Sequence, residues 1–305
     1  AETLLVAMGS GAEVVRETVL YLNKERGMKL GLLQVRLYRP WSDEDFAAVL
    51  PKSAKNVVVL DRTKEPGSGG EPLYLDVVAA LESARRKGHI ASTPIVIGGR
   101  YGLSSKDFTP SMVLAVVEHL KGTTPDKWIH GFTVGINDDV SHTSLPVNEV
   151  IDTEEEGVHR LKFWGLGSDG TVGANKNSIK IIGDNSEMFV QGHFVYDSKK
   201  AGGTTISHLR FSPLNILSHY EIDKPDFVAI HNREFLGKYE LLAGLRQGGT
   251  VLINTDLPLD QVFASFPKRD QEIMIAAKAK LYAINANKVV NDLGMPGRIN
   301  TTMQA

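Results

Sequence analysis

Apolar positions fall into short runs separated by stretches with a helical period. "TLLVAMG" is a continuous apolar run, as a strand buried on both faces requires. The glycines from Gly9 to Gly11 turn it into an amphipathic stretch from Ala12 to Lys24, which Gly27 closes. "LLQVRLY", "NVVVLD" and "TPIVIGG" read as three further strands. Between them Ser42 caps a helix, with Asp45 three residues on. The Gly/Pro loop "KEPGSGGEP" opens another helix that runs to Lys87 and is closed by Gly88. Thr109 and Pro110 form an N-cap and first-turn pair for a helix ending near Leu120. This alternation predicts an α/β fold with a doubly wound, mostly parallel sheet and right-handed crossovers. Its ligands are expected outside the carboxyl ends of the strands.

From 121 to 157 the period is lost, and the polar, Pro-containing stretch reads as an interdomain linker with a short strand in "GFTVGI". A second α/β unit follows. "VHRLKFWG" is its first strand, and "TVGANKNSIKIIG" is a helix with Val172, Ile179 and Ile182 on one stripe. "MFVQGHFVYD", "DFVAIHN", "TVLINTD" and "KLYAINA" are strands, and "EFLGKYELLAGLRQGG" reads as a helix stopped at Gly248 and Gly249. The expected organisation is an α/β domain over 1–120, a linker over 121–157 and a second α/β domain over 158–305. The start at Ala1, directly in a strand pattern, and the end at "GRINTTMQA", where a new helix begins, suggest a piece of a longer chain.

Composition changes this picture little. The chain has 305 residues, 42% apolar and 23% charged, with a net charge of -2. Two ordinary cores fit that length. Nothing marks a nucleic-acid surface, and no apolar run approaches the roughly 18 residues of a membrane span. Neither nucleic acid nor membrane is expected as a partner. The absence of cysteine rules out disulfides, Cys-ligated zinc and iron–sulfur clusters held by this chain's own thiolates. It is compatible with the cytoplasmic location expected here.

The candidate chemistry centres on Gly165, Gly167 and Gly170, which have the G-x-G-x-x-G spacing and are followed by Gly173. Glycines let backbone approach a phosphate, and the amides of the following helix start face the anion. A tight turn without a ligand stays open as the alternative. Asp169 inside the loop argues against a pure anion site; it suits a helix cap or a hydroxyl acceptor. A dinucleotide loop predicts an acidic residue about 20 positions on, at the end of the next strand. Asp197 comes later than that, with Lys199 and Lys200 beside it. Two ammonium groups suit a terminal phosphate, as on coenzyme A or NADP, better than a bare ribose. A solvated surface pair is the other reading.

Other constellations are weaker. Asp138, Asp139 and His142 in "NDDVSH" imitate a metal cluster but read better as hydrated loop residues, and no metal site is expected. Ser68 in "GSGGE" lacks the strand–elbow–helix setting of a nucleophile. His193, His208, His219 and His231 lie in or beside apolar stretches, where packing and hydrogen bonding explain them. No catalytic residue is assigned.

Several long stretches together resemble a known family. "GLGSDGTVGANKNSIKIIGDN", "FVQGHFVYDSKKAGGTTISHLRFS" and "GRINTTMQ" resemble the coenzyme-A-binding domain of pyruvate:ferredoxin (or flavodoxin) oxidoreductases. "DRTKEPGSGGEPLYLDV", "GGRYGLSSKDFTPSMV" and "FTVGINDDVSHTSLP" resemble the transketolase C-terminal-like domain that precedes it. The resemblance implies a fragment of an enzyme that decarboxylates pyruvate on thiamine diphosphate and Mg2+. It implies electron transfer through [4Fe–4S] clusters to ferredoxin or flavodoxin, delivery of the acetyl group to coenzyme A, and a homodimer at full length. Thiamine diphosphate, Mg2+ and the clusters would belong to domains absent here, so the fragment alone is expected to be inactive. Carried onto this sequence, Gly167, Ser168, Asp169, Gly170, Thr171 and Val172 would cradle coenzyme A. Lys199 or Lys200 would meet phosphate, and Asn300 in "GRIN" would hydrogen-bond toward the coenzyme A arm. An NADP-binding oxidoreductase domain and a pair of non-catalytic scaffold domains are the alternatives.

Overall fold

A computed structural model describes the chain except for residues 139, 198–201, 296–298 and 305. It divides into two compact units, 1–154 with 217–220 and 155–216 with 221–305.

The first unit runs β1 (Thr3–Met8), α1 (Gly9–Arg26), β2 (Leu30–Val35), α2 (Asp43–Val49), β3 (Asn56–Asp61), α3 (Pro72–Arg86), β4 (Ile95–Arg100), α4 (Pro110–Gly122), β5 (Phe132–Val134) and β6 (Ser144–Leu145). Its six strands lie in the order β2-β1-β3-β4-β5-β6, and every pairing is parallel. Alternate residues of a strand point to opposite faces. Leu5, Val58 and Leu60 therefore pack with Val15 of α1 and Val113 of α4, whereas Val6, Val57 and Val59 pack with Phe46 of α2 and Val77 of α3. Continuous apolar strands and helices on both faces are two views of one fact.

Local polar groups fix the ends of the helices. Ser42 Oγ accepts the Asp45 N–H at 3.1 Å, as its spacing predicts. Thr109 stands at the N-cap of α4 but makes no side-chain capping bond. The start of α3 is held from the sheet instead: the carboxylate of Asp61, the last residue of β3, accepts the N–H groups of Leu73 at 3.0 Å and Tyr74 at 3.2 Å.

The stretch 121–157, expected as a linker, supplies β5 and β6 to the first sheet, and the first unit extends to Glu154. Strands of three and two residues are too short to impose a readable period. Side chains tie them together, with the Thr133 and Ser144 hydroxyls 2.6 Å apart.

The second unit runs β7 (His159–Leu166), α5 (Thr171–Asn185), β8 (Phe189–Tyr196), β9 (Thr204–Ser212), β10 (Phe227–Ile230), β11 (Thr250–Asn254), α6 (Leu259–Val262), α7 (Lys268–Ala276), β12 (Lys280–Ile284), α8 (Ala286–Asp292) and α9 (Ile299–Gln304). The order β12-β11-β10-β7-β9-β8 is parallel except where β9 runs antiparallel to both neighbours. The chain leaves β7 toward one edge, then returns to build β10, β11 and β12 on the other side. Strand order thus reverses between β7 and β10, a topological switch point.

The stretch "EFLGKYELLAGLRQGG" is not the predicted helix. A 3-10 turn at Arg233–Phe235 passes into irregular turns. Gly237 and Gly244 have φ of 77° and 74°, and a Cβ on Gly244 would stand 1.9 Å from the Asp223 carbonyl oxygen. The chain passes backbone too closely there for a helix with side chains. Phe235, Leu241 and Leu242 nevertheless enter the core beside Val228, Ile230 and Ile253. Burial, not helical geometry, set the apolar spacing.

Asp61 is 4% exposed, so its loss strands one buried and one partly buried N–H group. Asp61→Ala is expected to lower unfolding free energy by about 1–3 kcal/mol. Chemical denaturation of the two proteins checks this, and Asp61→Asn should lose less because one acceptor oxygen remains.

Candidate functional site

The glycine loop joins β7 to α5. Its backbone is shaped by left-handed residues, Ser168 with φ of 76° and Gly170 with φ of 88°. Ser168 carries a side chain in that region, a conformation with a real cost that persists only where the surroundings impose it. Asp169 imposes it. Its carboxylate accepts the N–H of Leu166 at 2.7 Å through one oxygen and the N–H of Thr171 at 2.8 Å through the other. The Gly167 N–H donates to the Gly203 carbonyl at 2.7 Å, so the loop is also fastened to the start of β9. Of the two roles open to Asp169 in the sequence, the structure shows the cap.

Two glycines of the motif, Gly165 and Gly170, each answer a close approach. A Cβ on Gly165 would stand 2.6 Å from Thr171 Oγ1, so glycine there leaves room for the first side chain of α5. A Cβ on Gly170 would stand 2.9 Å from the Asn300 side chain. The structure thus brings Asn300, from α9, against the loop it was matched to only by resemblance. Gly167, Ser168, Asp169, Gly170, Thr171 and Val172 form one continuous turn, with Ser168 and Gly170 exposed, Val172 partly buried and Thr171 buried. The N–H groups of Ser168 and Gly170 have no acceptor among the described residues. Lys199 and Lys200 lie outside the described residues, as does Asp139. The carboxylate of Asp138 accepts the N–H groups of Ser141 and Thr143, and those bonds hold its pKa far below the usual carboxylate range. Among the described residues no cluster fit for a metal ion is found.

A cavity of about 700 Å3 lies where the topology directs it, at the carboxyl ends of β7, β10, β11 and β12. Leu166 and Asp169 border it from β7, His231 from β10, Asn254 from β11 and Asn285 from β12. Asn254 is 7% exposed and bridges two of these ends, donating to the His231 carbonyl at 3.1 Å and accepting the Ala286 N–H at 3.0 Å. Asn285 caps α8 by accepting the Lys288 N–H at 2.9 Å. Four carboxylates line the cavity, Asp169, Glu234, Asp256 and Asp292, against the cations Arg233 and Lys288. Arg233 is paired with Asp256 at 2.8 Å. The lining therefore offers amides and no surplus of positive charge.

His231 was passed over as a packing residue in the sequence. Its Nδ1 lies 2.7 Å from Thr171 Oγ1, directly beneath the loop. Burial pushes its pKa down to about 4, against a smaller upward pull from Asp169. A signal for this row of polar residues was present: three parallel strands each end in an isoleucine followed closely by asparagine, in "AIHN", "LINTD" and "AINAN". His208, on β9, also sits buried, accepting the Ile222 N–H at 3.0 Å, and burial holds it far below its ordinary pKa.

A glycine loop and a polar cavity at the switch point of a doubly wound sheet stand where α/β domains commonly place their ligands. Residues 160–305 match the family model for pyruvate ferredoxin/flavodoxin oxidoreductase, and residues 1–105 match that for pyruvate:ferredoxin oxidoreductase core domain II. The chain is 53% identical to pyruvate:ferredoxin oxidoreductase of Moorella thermoacetica and 52% identical to pyruvate-flavodoxin oxidoreductase of Trichormus variabilis, over 100% of its own length and 25% of theirs. It is 45% identical to mitochondrial pyruvate dehydrogenase [NADP(+)] of Euglena gracilis, over 100% of its length and 16% of that protein. The chain belongs to the pyruvate:ferredoxin/flavodoxin oxidoreductase family and spans about a quarter of the length of the first two relatives. Among the described residues no helix is long and apolar enough to cross a membrane.

The buried histidines make stability depend on pH. The unfolded chain protonates histidine near 6.5, whereas folded His231 resists protonation down to about 4. Between those values the unfolded state binds more protons, so stability falls as pH falls, by up to about 1.4 kcal/mol per pH unit for each such group. Thermal or denaturant unfolding at pH 7 and 5 should show that slope, and His231→Asn should make it shallower.

Proposed function

We propose that the second unit is the coenzyme A site of a longer 2-oxoacid oxidoreductase. That enzyme would oxidatively decarboxylate pyruvate to acetyl-CoA and pass the electrons to ferredoxin or flavodoxin. The observation that carries the reading is the loop: N–H groups of Ser168 and Gly170 with no acceptor among the described residues, at a helix start beside a switch-point cavity, in a chain of this family. Coenzyme A supplies the thiol that receives the acetyl group. The chain's own residues bind and orient it. The loop amides would meet phosphate oxygens, Lys199 or Lys200 would add positive charge, and Asn300 would hold the arm where it lies over Gly170. Phosphate gains little inside a cavity lined by four carboxylates and two cations, so the amide-lined space suits an uncharged part of the ligand.

Division of labour in the whole enzyme follows from what this chain contains. It has no thiolate to ligate a cluster. The [4Fe–4S] clusters, thiamine diphosphate and Mg2+ are assigned to other domains, and the first unit is read as the transketolase C-terminal-like scaffold. The protein is read as cytoplasmic, and as a homodimer at full length. Relatives with 45% to 53% identity here are named for ferredoxin, flavodoxin or NADP(+), so these residues do not by themselves select the electron acceptor.

Isothermal titration with coenzyme A and NADPH tests the site. Coenzyme A should bind and NADPH should not. Changing Lys199 and Lys200 together to Ala should weaken coenzyme A about tenfold or more, because a charge-assisted hydrogen bond is worth roughly 1.5–3 kcal/mol and 1.4 kcal/mol is a decade. Dephospho-coenzyme A should be less sensitive to that change if the lysines meet the ribose phosphate. Gly170→Val should also weaken binding, by straining a φ of 88° and pressing on Asn300. Equal affinity in all three proteins would reduce the loop to a structural turn.

A second expectation concerns the isolated chain. It should neither decarboxylate pyruvate nor reduce a viologen dye, since it can ligate no cluster through cysteine. Pyruvate turnover by the purified 305-residue protein would overturn the division of labour.

A further inference from the structure

The sheet of the second unit carries a buried core on one face and half-exposed rings on the other. Val228 and Ile230 of β10, Val251 and Ile253 of β11, and Leu281 and Ala283 of β12 point into the core. The alternate residues point the other way, to the side on which Thr171 of α5 lies against Gly165. There the register sets Phe163, Ala229, Leu252 and Tyr282 in one row, and Leu161, Phe227, Thr250 and Lys280 in the next. Phe163 and Phe227 pack on each other with ring centroids 5.7 Å apart. Phe163, Phe227 and Leu252 are half-buried, Tyr282 is 55% exposed, and the cores of the described residues include none of the four.

Such a face calls for a cover. β7, β10, β11 and β12 run parallel, and parallel sheets are covered on both faces because their strands are apolar throughout. The strands "FVAI", "TVLIN" and "KLYAI" keep that composition. α5 packs on β7, β8 and β9, and its own apolar stripe is used only in its first half. Thr171, Ala174 and Asn175 are its buried residues, whereas Ile179 and Ile182 stay half-buried. Rings beside a partly used helix stripe form a groove, and contiguous apolar surface of this kind marks an interaction site.

α9 points to the occupant. It touches both α5 and α8. It starts at the carboxyl end of the sheet, where Ile299 borders the cavity and Asn300 lies over Gly170, and Met303 is buried at 7% exposure. Helices that cover parallel sheets run back from the carboxyl ends of the strands toward their amino ends. From the His231 row to the Phe227 row is roughly 13 Å, which a helix spans in about nine residues. The 6 residues of α9 fall short of that. The chain covers 25% of each of two relatives, which leaves ample polypeptide in a full-length enzyme to fill the groove.

We propose that the groove of Phe163, Phe227, Leu252 and Tyr282 beside α5 is the seat of an amphipathic helix, the continuation of α9 in the full-length polypeptide. The stripe that Met303 begins carries on there, with apolar side chains every three or four residues facing the rings. Docking of that helix also holds Asn300 against Gly170, because Asn300 stands on its first turn. The proposal rests on the open face and on the place of α9, and it is independent of the coenzyme A reading.

Site-specific photocrosslinking in the full-length enzyme tests this. p-Benzoylphenylalanine takes the place of Tyr282 in one variant and of Phe227 in another, and the crosslinked peptides are identified by mass spectrometry. Every crosslink formed should fall within the first few helical turns after Ala305. A crosslink from either position to another part of the chain, a crosslink to a second copy, seen as a covalent dimer, or no crosslink from either position would overturn the proposal. Where neither variant folds, hydroxyl-radical footprinting of the unaltered enzyme decides. Tyr282 should be protected, and oxidation of Tyr282 as fast as in the denatured enzyme would equally overturn the proposal.

Discussion

The second unit depends on one carboxylate. Asp169 accepts N–H groups from both ends of its own turn, Leu166 on the strand side and Thr171 on the helix side. A strand that ends and a helix that begins within five residues leave backbone donors with no partner in either element. Without a local acceptor those donors would turn to solvent and the turn would open. With it, the start of α5 is aimed at the carboxyl end of the sheet. Gly165, Gly170, Thr171 and Asn300 then take their places by contact.

The same carboxylate limits what the loop can do electrostatically. A helix start favours an anion by roughly 0.3–1 kcal/mol in exposed settings. A negative side chain within the turn offsets part of that. The described cavity does not compensate, since Arg233 is paired with Asp256 and only Lys288 remains to face Glu234 and Asp292. The site therefore relies on directed hydrogen bonds more than on local charge. A rigid turn with its donors already oriented loses little freedom when a ligand arrives, and that is how modest individual bonds sum to useful affinity.

Much of this was legible in the sequence, for identifiable reasons. Strands such as "TLLVAMG" and "NVVVLD" are covered on both faces, so every position is apolar and the run is plain. The loop was legible because glycine is required at close approaches and left-handed backbone, and both occur at Gly165 and Gly170. Where the reading went astray, burial had outrun periodicity. Leu241 and Leu242 are core residues in a coil that glycine lets pass beside Asp223. β9 was not foreseen as a strand, because buried Ser207, His208 and Arg210 break its apolar pattern. The two-residue β6 owes its place to a neighbour's hydroxyl. His231 was visible only as a histidine beside an apolar run, and its contact with Thr171 spans 60 positions of sequence. Local pattern carries no information about such a pairing.

A neutral histidine under the loop is also what the energetics allow. A lysine or protonated histidine there would bring positive charge nearer a phosphate, but it would be a buried ion opposed, among the described residues, by Asp169. The penalty for burying an ion runs to several kcal/mol. Asp169, already committed to two backbone N–H groups, could compensate only in part. Burial instead keeps His231 uncharged down to about pH 4, and the ring contributes a hydrogen bond to Thr171 without burying an ion. Positive charge is better placed on exposed side chains at the rim, where water stabilises it until the anion arrives. The buried contact of His231 with Thr171 thus braces the start of α5 without placing a charge beneath the loop.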